Sequence, residues 1–182
     1  MHTHFALKIL QIKCPSLELL KVDSCSTIMY LWSKELHISS FRNLKGLNVE
    51  QCDSLQNLGS TSVFCALVQL ESMTVHRCKG LQTIITEETQ EQKTIEFRQL
   101  RELELGHLDS LKSFYGGSYR VKFPKLKKLE MRLLRKLTTF VGSVGPSTTL
   151  FSDKVLGNSS WLINWLLYLN TLNDFYSRLT VL

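Results

Sequence analysis

Three of the five cysteines, Cys25, Cys52 and Cys78, stand 27 and 26 residues apart. Thiols at regular spacing raise two kinds of chemistry, metal ligation and disulfide formation. A structural zinc site usually draws ligands in pairs a few residues apart, so that one short loop supplies two corners of a tetrahedron. No C-x-x-C pair is present. The odd total, completed by Cys14 and Cys65, does not make a full disulfide framework and points to reduced thiols in a reducing compartment. The five histidines, His2, His4, His37, His76 and His107, are scattered. Acid–base pairs such as Asp23 with His37 or Glu50 with His76 have no support from spacing, and surface side chains are the expectation. The frames G-x-x-x-x-G-K-[ST], G-x-G-x-x-G, H-E-x-x-H and G-x-S-x-G are all missing, and Gly116-Gly117-Ser118 is a loop signal without a phosphate-binding frame. No enzyme activity, cofactor or bound metal is therefore expected. The regular cysteines are better explained as small buried groups that satisfy a turn.

The elements that place them repeat. Leu44, Leu47, Val49, Cys52 and Leu55 follow L-x-x-L-x-V-x-x-C-x-x-L, and the same frame holds from Leu17, Leu70, Leu100 and Leu126. Leu108 and Leu134 take the cysteine slot in the last two units. Steps of 27, 26, 30 and 26 residues lie in or next to the range of leucine-rich repeats. Alternation over the fourth to sixth positions is the signature of a strand, and a lone strand of this length cannot bury its apolar side. Stacked copies can, by sharing one continuous core. The predicted fold class is α/β: a leucine-rich repeat solenoid with a parallel β-sheet on the concave face and an irregular or short helical convex side. Phe41, Phe97 and Phe123, three residues before their first leucines, and Leu58, Ile84, Phe114 and Phe140, fourteen after, are expected to fill the convex side of the core.

Residues 1–140 are assigned to the array, with about five repeats starting near 17, 44, 70, 100 and 126. Leu7, Leu10 and Ile12 suggest a partial repeat before them, too close to Leu17 for a full unit, so the array is expected to begin mid-stream. Residues 141–182 form a linker and a non-repeat apolar tail. Trp161, Trp165, Tyr168 and Leu172 fall on one side of a helix there, which makes the tail a candidate cap.

Positions two, three, five and seven of each unit point away from the core. The candidate binding face accordingly comprises Glu18, Lys21 and Asp23; Lys45, Asn48 and Glu50; Glu71, Thr74 and His76; Arg101, Glu102 and Glu104; and Lys127, Lys128, Glu130 and Arg132. It is mixed in charge early and basic late.

Net charge of +6 permits an acidic partner without demanding one. Eight basic residues lie within 120–136 against one acid, Glu130. A nucleic-acid or phospholipid binder is an alternative reading of that run, but no nucleic-acid module is present and nucleic acid is not the expected partner. The acidic, polar stretch 86–94 is an insertion expected to form a loop. Residues 155–173 carry no charge, but Asn158, Asn164, Asn170 and Asn173 make them too polar for a span of about 20 residues, so a membrane is not expected either.

The wording F-x-x-L-x-x-L-x-V-x-x-C-x-x-L, seen best from Phe41 to Leu58 and again around Leu70 to Ile84, resembles the leucine-rich repeat region of plant disease-resistance proteins of the coiled-coil, nucleotide-binding class. Ile95-Glu96-Phe97, Leu108-Asp109-Ser110-Leu111 and Phe123-Pro124-Lys125-Leu126 share that resemblance, which covers about residues 7–140. It implies a protein-interaction module of a cytoplasmic immune receptor in the defence response. The implied partners are a pathogen effector or guarded host protein and, in a longer receptor, an intramolecular nucleotide-binding domain. The leucines at 108 and 134 and the unmatched tail depart from the pattern and fit a truncated product. The substrate-binding repeats of a ubiquitin-ligase adaptor have similar periods and form the other alternative.

Overall fold

The computed structural model describes residues 16–32, 41–87, 94–117 and 120–141. The predicted partial repeat at Leu7–Ile12, most of the 86–94 insertion and the tail beyond Val141 lie outside the described residues.

Each unit contributes one five-residue strand two residues after its first leucine: β1 (Leu19–Asp23), β2 (Gly46–Glu50), β4 (Ser72–His76), β7 (Glu102–Gly106) and β10 (Lys128–Arg132). They pair in parallel in that order, in a constant register that aligns Leu20, Leu47, Met73, Leu103 and Leu129 in one inward row and Val22, Val49, Val75, Leu105 and Met131 in the next. A one-residue slip would turn these rows to solvent, so burial fixes the register. The fold is the leucine-rich repeat solenoid that the spacing predicts.

The return side is more regular than an irregular connection. The short strands β3 (Gly59–Ser60), β5 (Thr83–Thr86), β8 (Ser113–Tyr115) and β11 (Thr139–Val141) form a second parallel sheet, in the order β11-β8-β5-β3. A third ladder pairs β6 (Thr94–Glu96) with β9 (Arg120–Lys122). Helix α1 (Thr61–Ala66) is the single helix among the described residues. Six residues cannot sustain a helix alone. Its Ser60 cap makes no side-chain hydrogen bond, and Val63 and Phe64 hold it down by burial instead.

Aromatic rings run through the core beneath this return side. Trp32 meets Phe41 and Phe64 edge-on, Phe64 meets Phe97, and Phe97 stacks on Phe123 with centroids 5.0 Å apart. Phe114 stacks on Phe140 at 4.8 Å. The predicted convex-side core positions are all buried, the phenylalanines among them in one aromatic column and Leu58 and Ile84 beside it in the same core.

Backbone hydrogen bonds between turns recur at the same positions. The carbonyl of position two accepts two N–H groups of the next turn, as Glu18 does from Lys45 and Gly46, Lys45 from Glu71 and Ser72, and Arg101 from Lys127 and Lys128. A second chain of bonds runs Met29, Gln56, Gln82, Lys112, Thr138, each N–H donating to the preceding carbonyl. The turns pack tightly enough that a Cβ on Gly80 would lie 2.3 Å from the Asp53 carbonyl oxygen, so only glycine fits there.

Position eight adopts the left-handed conformation in every unit, with φ between 52° and 56° at Ser24, Gln51, Arg77, His107 and Leu133, none of them glycine. Turning the chain sharply here points each N–H at a carbonyl of the next turn: Ser24 to Glu50, Gln51 to His76, Arg77 to Gly106 and His107 to Arg132. For a leucine that conformation is costly.

Two stability changes follow, both measurable by urea unfolding. Leu133→Asn, at an exposed site, should stabilise by up to about 1 kcal/mol, because asparagine tolerates the left-handed region. Phe97→Ala should cost about 3–5 kcal/mol, since it opens the aromatic column where three other rings meet.

Candidate binding face

The regular cysteines sit where β-strand gives way to turn. Cys52 and Cys78 are fully buried, and each thiol donates to the carbonyl two residues before it: Cys52 Sγ to Glu50 at 3.2 Å and Cys78 Sγ to His76 at 3.3 Å. Those same carbonyls accept the position-eight N–H groups of the preceding turn, Ser24 and Gln51. The cysteine slot therefore completes the second lone pair of a buried acceptor. In the last two units Leu108 and Leu134 fill it by volume alone, and the Gly106 and Arg132 carbonyls keep their N–H partners. Burial pushes the Cys78 thiol up to about 12, and it raises Cys52 in the same direction. No group of three or more His, Cys, Asp or Glu side chains that could hold a metal occurs among the described residues.

On the other side of the strands, the structure brings every predicted face residue into parallel rows. Position two gives Glu18, Lys45, Glu71, Arg101 and Lys127 at the start of the strands. Register then aligns Leu19, Gly46, Ser72, Glu102 and Lys128; next Lys21, Asn48, Thr74, Glu104 and Glu130; and finally Asp23, Glu50, His76, Gly106 and Arg132. Glu50 and His76 are register partners, but the Glu50 carboxylate is taken by Arg77 Nη1 at 2.7 Å. His37 lies outside the described residues.

Charge across the rows is largely matched. Lys45 Nζ reaches Glu18 at 2.8 Å, and this hydrogen bond raises the Lys45 pKa. Lys128 binds Glu104 and, at 3.4 Å, Glu130, which also accepts from Arg132 Nε at 2.6 Å. The bond to Glu104 raises the Lys128 pKa in turn. Glu130 is nearly buried beneath its two cations, and that cover compensates its desolvation. Arg101 and Lys127 are different. They are exposed neighbours in the position-two row and have no ion pair among the described residues. Glu71 stands next to Arg101 in that row, but no ion pair joins them, and two adjacent cations without ion pairs attract an anionic group. At the centre of the face, the Asn48 side-chain oxygen is buried and has no hydrogen-bond partner.

The basic run at 120–136 does not stay together. Lys128 and Arg132 face outward from the main sheet in ion pairs, Arg120 and Lys122 lie on the return ladder, and Lys125 Nζ donates to Gln99 at 2.7 Å. One turn of solenoid wraps the run around the molecule, which disperses a patch that looks continuous in the sequence.

The rim beside the face was not legible from the repeat frame. Arg77 and Lys79 reach back one turn to Glu50 and Asp53, and Lys79 donates both its backbone N–H and its ammonium to Asp53, holding that carboxyl below its ordinary range. The available signal was the charge alternation Asp53, Lys79, Asp109, Arg135 at one repeat position.

A parallel sheet of open, polar-faced strands over a shared leucine core defines a leucine-rich repeat protein, a fold of the protein-interaction class. The family model for plant disease resistance protein RPS2-like leucine-rich repeats matches residues 15–144, and the chain belongs to that family. No curated protein and no solved structure matches the chain significantly. No helix among the described residues is long and apolar enough to cross a membrane.

The buried thiol predicts a pH dependence. Its proton is held more tightly folded than unfolded, so its contribution to stability is complete below pH 9.0 and is lost as pH rises toward about 12. Urea midpoints measured across that window should fall more steeply for the native chain than for Cys78→Ser, which has no thiol to ionise.

Proposed function

We propose that this chain is the effector-sensing and autoinhibitory repeat region of a cytoplasmic plant immune receptor, and that it takes its protein partner on the five-stranded sheet face. Membership of the resistance-protein family supports the setting. The observation that carries the face assignment is the unneutralised pair Arg101 and Lys127, beside rows whose other charges are mostly matched. An acidic patch on the partner, either an effector, a guarded host protein or the receptor's own nucleotide-binding domain, would meet that pair. The flanking ion pairs then serve as a polar rim, which sets register and association rate more than affinity.

The dispersal of the 120–136 cations favours this reading over a polyanion binder, which would need them on one surface. A ligase-adaptor role would use the same face, and nothing in the geometry favours it over the receptor.

The test is to place charge reversals in a receptor carrying this repeat region and score both its resting and its triggered response in leaf tissue. Arg101→Glu with Lys127→Glu should either release signalling at rest or abolish triggering, with partner binding weakened about tenfold or more. Lys122→Glu, on the return ladder, should behave like the native sequence. Equal loss from both substitutions, or none from the first, would remove the sheet face from the proposal.

A further inference from the structure

Most of the sheet face is charged, and one corner of it is not. Among the described residues the exposed large apolar side chains are Leu19, Met29, Tyr30, Val68 and Leu133. Of these only Leu19 belongs to a strand of the main sheet, and at 63% it is the most open. Its side chain lies across Gly46 of the next strand, where a Cβ would come within 2.7 Å of Leu19 Cδ1. Ser72 continues the row, its Oγ 3.4 Å from the same Cβ position. Gly46 has no side chain and Ser72 a short one, so the three residues form a shallow, uncharged trough under one apolar group.

The cations Arg101 and Lys127 flank the same edge of the face. They hold position two of their units, and the trough holds position three, one residue on. Neighbouring strands are about 4.8 Å apart. Across the order β2-β4-β7-β10, Gly46 is therefore about 10 Å from the turn of Arg101 and about 14 Å from that of Lys127. An extended chain covers those distances in about three and four residues. Two acids border the line. Glu71 stands one turn before Arg101 in the position-two row, and Glu102 follows Arg101 in the chain. Glu71 repels an acidic group placed nearer the trough, and Glu102 repels one placed over the strands. Together they select the spacing as well as the sign of what binds.

We infer that the sheet face takes an extended segment of its protein partner, laid across the strands with an apolar side chain against Leu19 over Gly46 and acidic side chains about three to five residues further on, at Arg101 and Lys127. This rests on the sheet face being the partner-binding surface and adds the form and spacing of the element it reads. An apolar contact that excludes water supplies affinity, while the cations supply orientation and rate. An acidic patch alone would leave Leu19 in water, where it contributes nothing.

Random short peptides displayed on phage and selected on the full immobilised chain test this. Enriched sequences should share an apolar residue followed by acids at that spacing. A synthetic copy of the most enriched peptide, read by fluorescence anisotropy, should lose about tenfold in affinity with Leu19→Ser, and about tenfold with Arg101→Ser and Lys127→Ser together. These side chains are exposed, so the fold should persist without them. Gly46→Ala, whose Cβ displaces the Leu19 side chain, closes the trough by another route and should weaken the peptide as well. Enrichment without that spacing, or no enrichment, overturns the inference. Binding that falls with the cation substitutions but ignores both Leu19→Ser and Gly46→Ala also overturns it, and leaves the sheet face standing as an acid-binding surface. Binding indifferent to every one of these substitutions removes the sheet face as well.

Discussion

Every turn of this protein depends on backbone hydrogen bonds to the turn beside it. Within one unit the strand has no partner, and its N–H and C=O groups would be orphaned on burial. Stacking supplies the partner, but only if each unit repeats its geometry closely. That requirement explains the left-handed residue at position eight, the doubly accepting carbonyl at position two and the 13th-position chain from Met29 to Thr138. Local strain at Ser24, Gln51, Arg77 and His107 is tolerated because each aims its N–H at an acceptor one turn away. An unsatisfied buried acceptor would cost as much as the strain or more, roughly 1–3 kcal/mol.

The core and the face are consequences of the same register. Because side chains alternate along a strand, fixing leucine and valine inward also fixes four outward rows. The core places no demand on those rows, and here most of their charges neutralise one another across turns. Where they do not, at Arg101 and Lys127, the surface keeps electrostatic attraction to offer to another molecule. The thiols take no part in that face. They sit on the core side of the strand ends, kept protonated by burial, and complete hydrogen bonds that the ladder leaves half made.

The frame of leucines was legible because it repeats, and repetition at several positions is hard to produce by chance. The cysteine slot was legible for the same reason, down to its role in the turn. The outward rows followed from alternation: the candidate residues at positions three, five and seven align across the sheet, and those at position two stand just before its strands. Legibility failed where the contact partner lies one turn away in space but some 26 residues away in sequence. Arg77 with Glu50, and Lys128 with Glu104, look like unrelated surface charges until the turns are stacked. The basic run at 120–136 failed in the opposite sense, looking like one patch because chain neighbours were taken for spatial neighbours.

By itself the sequence determined the class of the fold, the period, the strand positions and which side chains enter the core, because these depend on local alternation and on a repeat that any stack must respect. It also carried the family wording from Phe41 onward. Only the tertiary structure decided that the return side is a second ladder and that position eight turns left-handed in five units, four of them bonding the next turn through that N–H. Those features arise from contacts between turns, where spacing around the solenoid and not order along the chain sets which groups meet.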